Sequence, residues 1–214
     1  GREGQSDEIL EMLSDNRFCA VIGASGSGKS SLMYCGLIPI LYGGFISQAG
    51  SSWRVITTRP GHEPINNLAS SIVDSVNKES DRVDEKDVFV DKTIASTVLR
   101  SSSRGLIESI KQLNKSNENV LILVDQFEEL FRFKKSGVSS DSTNESEAFV
   151  KLLLEAAKQS EVPIYVVLTM RSDFIGDCAQ FPNLTKKIND SHYLIPQMTR
   201  ADVQQAIMGP VAVG

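Results

Sequence analysis

The sequence predicts a three-layer α/β domain built on a parallel sheet. Short strand-like runs alternate with stretches of helical apolar period along the chain. Two of those runs, Val120 to Val124 and Pro163 to Met170, are almost wholly apolar, as suits strands covered on both faces. The first strand leads straight into Gly-Ala-Ser-Gly-Ser-Gly-Lys-Ser at residues 23–30, a glycine-rich turn between a strand and a helix.

In chain order, Ser6 to Asn16 reads as a leading helix with Ile9, Leu10, Met12 and Leu13 as its apolar stripe. Arg17 to Ile22 is the first strand, and Lys29 to about Leu41 the helix after the glycine-rich turn, ending toward Gly43-Gly44. Trp53 to Thr58 is β-branched and reads as a strand closed by Pro60-Gly61. Pro64 to Val76 carries a helical period through Ile65, Leu68, Ile72 and Val76. Lys78 to Asp87 is charged and reads as loose, and one helix is expected over about Thr93 to Leu113. After the strand Val120–Val124, a helix is expected from Gln126 to Phe133. The hydroxyl-rich, acidic stretch Ser136 to Glu145 is the poorest candidate for order. Ser146 to Ser160 reads as helix, Pro163 to Met170 as strand, His192 to Ile195 as a short edge strand and Arg200 to Met208 as a last helix.

At 214 residues the chain holds one substantial core, and 41% apolar with 23% charged residues suits a soluble globular domain. A net charge of −5 without a dense basic stripe argues against direct nucleic-acid binding, and Lys134-Lys135 and Lys186-Lys187 read as solvated faces. No apolar run reaches the length of a bilayer span and no signal peptide opens the chain, so a cytoplasmic protein without a membrane partner is expected. Cys19, Cys35 and Cys178 are widely spaced in apolar surroundings and read as reduced core thiols. His62 and His192 carry no assigned chemistry. The start at Gly1-Arg2-Glu3, without Met, suggests a piece of a longer chain.

Residues 23–30 match G-x-x-x-x-G-K-[ST]. Small residues let consecutive backbone N–H groups curl around phosphates, and the following helix adds the positive end of its dipole. Gly23, Ala24, Ser25, Gly26, Ser27, Gly28, Lys29, Ser30 and Ser31 are therefore the expected nucleotide cradle. Lys29 reaches the β- and γ-phosphates in such a loop, and Ser30 takes a place on Mg²⁺. Asp125, at the end of an apolar strand, is the expected second Mg²⁺ group. Glu128, and after it Glu129, are candidates to polarise the attacking water, or else acids capping a helix N-terminus. Arg171 follows the last buried strand and is placed either to touch the γ-phosphate or to form a salt bridge with Asp173 or Glu128. Arg59 also follows a strand end and has the weaker claim.

Together VIGASGSGKSSL, W-x-V-x-x-x-R-P-G-x-x-P, LVDQFEEL, LTMRSDF and QAIMGP resemble the STAND class of P-loop NTPases, in the bacterial subgroup commonly joined to WD40-type repeats. The resemblance covers nearly the whole chain and implies an ASCE/AAA+-like core of five parallel strands in the order 5-1-4-3-2. It implies an ATP/ADP-controlled, Mg²⁺-dependent signalling switch that hydrolyses ATP slowly, attached to effector and repeat-sensor domains, and it allows nucleotide-dependent self-association. Carried over by position, Lys29 and Ser30 match the phosphate loop, Asp125 the metal position, Glu128 and Glu129 the acidic pair, Arg171 the sensor arginine and Arg2 a residue near the base. On this reading residues 1–208 are the NTPase core, with 1–16 a leading helix segment and 17–196 the sheet and its helices. Residues 209–214, with Gly209-Pro210 adjacent rather than separated, begin a lid domain cut short at Gly214.

A GTPase is disfavoured because neither Asn77-Lys78-Glu79 nor Asn114-Lys115-Ser116 supplies the aspartate of a guanine-reading N-K-x-D. A transporter ATPase would carry an L-S-G-G-Q-like signature, and a small-molecule kinase a basic lid in place of the acidic Ser136–Glu145 stretch. The serious alternative is a nucleotide-binding scaffold without meaningful turnover.

Overall fold

Alternation along the strands divides the core into two. In β1 (Phe18–Gly23), Phe18, Ala20 and Ile22 face one side of the sheet, while Cys19 and Val21 face the other. In β3 (Asn119–Val124), Val120, Ile122 and Val124 share the first side and Leu121 and Leu123 the second. A strand buried on both faces needs helices on both, which is why these runs carry no polar alternation.

The computed structural model describes residues 4–43, 52–77, 85–113, 118–135 and 140–197. The elements before β3 are α1 (Gln5–Asn16), β1, α2 (Lys29–Ser31), a π-helical segment (Leu32–Leu37), α3 (Ile38–Tyr42), β2 (Trp53–Thr58), α4 (Pro64–Asn77), α5 (Glu85–Ser101) and α6 (Gly105–Leu113). After β3 come α7 (Glu129–Lys135), α8 (Ser140–Lys158), β4 (Ile164–Arg171), a 3₁₀ stretch (Ser172–Gln180), α9 (Pro182–Asp190) and β5 (His192–Leu194). The sheet is parallel throughout, in the order β2-β3-β4-β1-β5. Read from the other edge this is 5-1-4-3-2, as expected. The larger core holds residues of α4, α5, α6, α8 and α9; the smaller holds Ile9 and Leu13 of α1 with Leu32, Met33 and Leu37 of the π-helical segment.

Several helical boundaries differ from expectation. The helix after the phosphate loop runs on to Tyr42, but its middle is wound as a π-helix. Pro39 lacks the N–H that an unbroken α-helix would donate to Cys35, and the wider turns just before it accommodate that loss. The single helix expected over Thr93–Leu113 is two, broken at residues 102–104. Gly105 sits against the end of α5 so closely that a Cβ there would lie 2.3 Å from the Val98 carbonyl oxygen. α5 also starts at Glu85, inside the stretch expected to be loose, and is held to α4 by Lys92–Asp74 at 2.8 Å and Ser96–Asn66 at 2.5 Å. Ser140–Glu145 belongs to α8 rather than to a loop. Glu145 there takes Arg100 at 2.8 Å and the Ile65 N–H at 3.4 Å, tying α8 to α4 and α5. The helix expected from Gln126 starts at Glu129. Arg2, residues 78–84 and 136–139, the helix at Arg200–Met208 and the segment 209–214 lie outside the described residues. No described helix is long and apolar enough to cross a membrane.

Cys35 corrects the reading of all three cysteines as core. It lies on the outer side of the π-helical segment and is exposed, whereas Cys19 and Cys178 are buried. Burial pushes both the Cys19 and the Cys178 thiols up to about 12. Because the thiolate is the reactive form, alkylation of the native protein near neutral pH is expected to modify Cys35 alone, with the other two reacting only on unfolding. Peptide mapping after iodoacetamide treatment checks this; early labelling of Cys19 would contradict its burial.

Candidate functional site

The carboxyl ends of β1, β3 and β4 build the site. After β1 the chain turns through Gly26 at φ +71° and Gly28 at φ +80°, left-handed conformations open to glycine at no steric cost. The turn bends back on itself: the Lys29 ammonium donates to the carbonyls of Gly23 and Ala24, both at 2.9 Å. Burial draws the Lys29 pKa below the ordinary lysine range; Glu128 opposes that shift, the Arg171 charge adds to it, and Asp125 also opposes it.

Asp125 follows β3, almost fully buried at 1% exposure. Its Oδ1 accepts the Thr169 hydroxyl at 2.6 Å and the Ser30 hydroxyl at 3.2 Å. Pairing explains the meeting: Val124 is opposite Leu168, so the residue after β3 falls beside Thr169 of β4. Thr169 was not singled out from the sequence, although a hydroxyl in the otherwise apolar run Val166-Val167-Leu168-Thr169-Met170 is a signal that could have found it.

Gln126 then adopts φ +57°, an uncommon left-handed conformation for a residue with a Cβ. Thr169 holds it there, its hydroxyl accepting the Gln126 N–H at 3.0 Å and its carbonyl the Phe127 N–H at 2.9 Å. This kink delays the helix and separates the two acids. Glu128 is buried and turned toward the phosphate loop, with Oε2 accepting the Arg171 N–H at 3.3 Å. Glu129 points the other way, its Oε2 accepting the Gly61 N–H at 3.1 Å.

Arg171 ends β4 directly opposite Gly23, the first residue of the loop. Its guanidinium grips Asp173 through Nε–Oδ1 at 3.0 Å and Nη2–Oδ2 at 2.5 Å, and lies 5.5 Å from the centre of the Phe174 ring. Phe174 stacks on Phe131, which also meets Phe127 and Phe181, so the arm is braced against the core. Asp173 rather than Glu128 is the side-chain partner. Arg59 reaches further than expected: its Nη2 donates to Asp125 Oδ2 at 3.1 Å.

A cavity of about 370 Å³ joins these parts, lined by Ser25, Gly26, Gly28, Lys29, Ser30, Ser31, Asp125, Gln126, Glu128, Thr169 and Arg171. It opens outside the carboxyl ends of β1 and β4, where the sheet's winding reverses and α/β proteins bind ligands. A larger cavity of about 860 Å³ lies at the opposite ends of these strands. None of the phosphate-loop residues lines it, and Arg17 and Lys187 there donate to backbone carbonyls. Among the described residues no three His, Cys, Asp or Glu side chains gather as a metal cage. One carboxylate and one hydroxyl beside a phosphate cradle nevertheless suit Mg²⁺, which takes few protein ligands and keeps water and phosphate oxygens for the rest.

A family model described as Novel STAND NTPase 1 matches residues 1–214. The chain belongs to this STAND NTPase family. No curated protein sequence matches it. Among solved structures, the STAND domain is similar to the Aeropyrum pernix ORC2 protein in its ADPNP–ADP complexes, with TM-score 0.63 and 11% identity over 100% of this chain and 52% of that one. It is similar to the Aeropyrum pernix ORC1 protein in complex with DNA, at 0.58 and 14% over 99% and 49%. Cdc6p from Pyrobaculum aerophilum gives 0.54 and 14% over 100% and 50%. These likenesses establish an AAA+-type fold, and the STAND domain spans about half the length of each of these proteins. As a P-loop NTPase of this family, it is a nucleotide-binding domain.

Proposed function

We propose that this STAND domain binds ATP with Mg²⁺, hydrolyses it slowly and serves as the switch of a larger cytoplasmic signalling protein carrying effector and repeat-sensor domains. The observation that carries the reading is the single cavity onto which Lys29, Ser30, Asp125, Glu128 and Arg171 all open. In this reading the backbone of residues 23–31 and the Lys29 ammonium hold the phosphates, while Ser30 and Asp125 hold the metal. Bound Mg²⁺ supplies positive charge against the phosphate oxygens. Glu128 accepts the proton of a water attacking the γ-phosphorus as ADP leaves, and Glu129, tied to Gly61, contributes little. Thr169 keeps the Asp125 carboxylate in place. Arg2 is assigned to the base side of the nucleotide.

Arg171 makes the site a switch, because only a group with different affinity for ATP and ADP can move a conformational equilibrium. In Arg171→Ala, affinity for a non-hydrolysable ATP analogue is expected to fall roughly ten- to hundredfold, the equivalent of one charge-assisted contact of about 1.5–3 kcal/mol. ADP affinity should stay nearly unchanged. Calorimetric titration with both nucleotides tests this: equal losses would make Arg171 a support of the fold or of the β-phosphate.

A further inference from the structure

Arg59 has no role in the reading above, yet it occupies the carboxylate that would hold the metal. Asp125 directs Oδ1 at the hydroxyls of Thr169 and Ser30, and its Oδ2 meets the guanidinium of Arg59 at 3.1 Å. The sheet brings the two together: Thr58 is opposite Val124, and the Asp125 N–H donates to the Thr58 carbonyl at 2.9 Å, so the residues following β2 and β3 lie side by side. The loop behind Arg59 is pinned, with the Gly61 N–H on Glu129 and the Asn67 amide on the Pro60 carbonyl at 2.8 Å. The arm itself reaches the carboxylate from the solvent side, being 57% exposed while its partner is 1% exposed. Arg59 itself lines a cavity of about 450 Å³ together with Tyr34, Thr57, Thr58, Asn67, Ser70 and Ser71, most of them hydroxyl side chains. The Thr58 hydroxyl oxygen is buried and has no hydrogen-bond partner among the described residues.

We propose that Arg59 is a displaceable cationic cover on Asp125, which metal-loaded nucleotide must move off the carboxylate, toward the cavity that Arg59 already lines. The proposal rests on the reading of the site as one for Mg²⁺ and ATP. A guanidinium and a divalent cation on one small carboxylate repel each other, so they compete for Asp125. Mg²⁺ affinity is thereby set against the Arg59–Asp125 pair, and the arm's position reports nucleotide loading to the β2–α4 loop and, through Tyr34, to the π-helical segment. Without the metal the same pair has the opposite effect, since it shields ATP phosphates from the bare carboxylate.

The two signs give the test. Binding of a non-hydrolysable ATP analogue is measured by calorimetry across a Mg²⁺ series for the unaltered chain, Arg59→Ala, Arg59→Gln and Asp125→Asn. Both Arg59 variants are expected to lower the Mg²⁺ concentration for half-maximal effect by about three- to tenfold, as for a partly exposed ion pair. They should also weaken binding in the absence of Mg²⁺. An unchanged or raised Mg²⁺ midpoint, or an equal loss of affinity at every Mg²⁺ concentration, overturns the cover and makes Arg59 a phosphate ligand or a structural residue. If the unaltered chain binds no analogue, or Asp125→Asn leaves the Mg²⁺ effect intact, the underlying site reading fails and the cover falls with it. Failure confined to the two Arg59 variants overturns the cover alone.

Discussion

Lys29→Ala is expected to abolish measurable ATP binding while the domain stays folded. Among the described residues Lys29 is the one lysine lining the cavity, and its removal leaves the phosphates of bound ATP without their most direct counter-charge. Two charge-assisted contacts at about 1.5–3 kcal/mol each correspond to at least a hundredfold weakening. The cost to the fold is small by comparison. Among the described residues its side chain donates to the loop carbonyls of Gly23 and Ala24, and neither apolar core includes it. Calorimetry and a thermal melt on the same preparation separate the two effects. Equal ATP affinity in variant and parent would remove the phosphate loop from the site.

Glu128→Gln is expected to cut ATP turnover by about 10²- to 10⁴-fold, the usual range for loss of a positioned base, and to leave ATP affinity within a few-fold. Glu129→Gln should retain most of the parent's turnover, because its carboxylate is directed at the Gly61 N–H and not at the cavity. Single-turnover hydrolysis on the two variants gives the ranking. The reverse order would assign the base to Glu129 and require the turn at Gln126 to rearrange on binding. Tight ATP binding with no turnover in the parent chain would favour the scaffold reading.

The choice between these acids shows where sequence reasoning stops. The spacing from Asp125 to Glu128 suggests one helical turn, yet the two are related by a kink at Gln126 that only Thr169 explains. A contact between residues 43 positions apart leaves no periodicity to read. The break at Gly105 and the early start of α5 were hidden for a similar reason. Phe89, Val90 and Ile94 are exposed, so α5 shows no clean apolar stripe; Ala95 and Leu99 enter the larger core, and polar ties to α4 add to them.

By itself the sequence determined the layered α/β class, the buried strands and the phosphate loop. Each depends on neighbouring residues alone: the period of apolar side chains, β-branched runs, and glycine where the backbone must turn left-handed. Tertiary structure alone decided which charges meet. Strand register set Asp125 between Thr169 and Arg59, the turn after β3 aimed Glu128 and Glu129 apart, and Asp173 took the Arg171 guanidinium. Those pairings depend on angstrom-scale distances between chain segments far apart in sequence, and a linear pattern of residue types does not encode such distances.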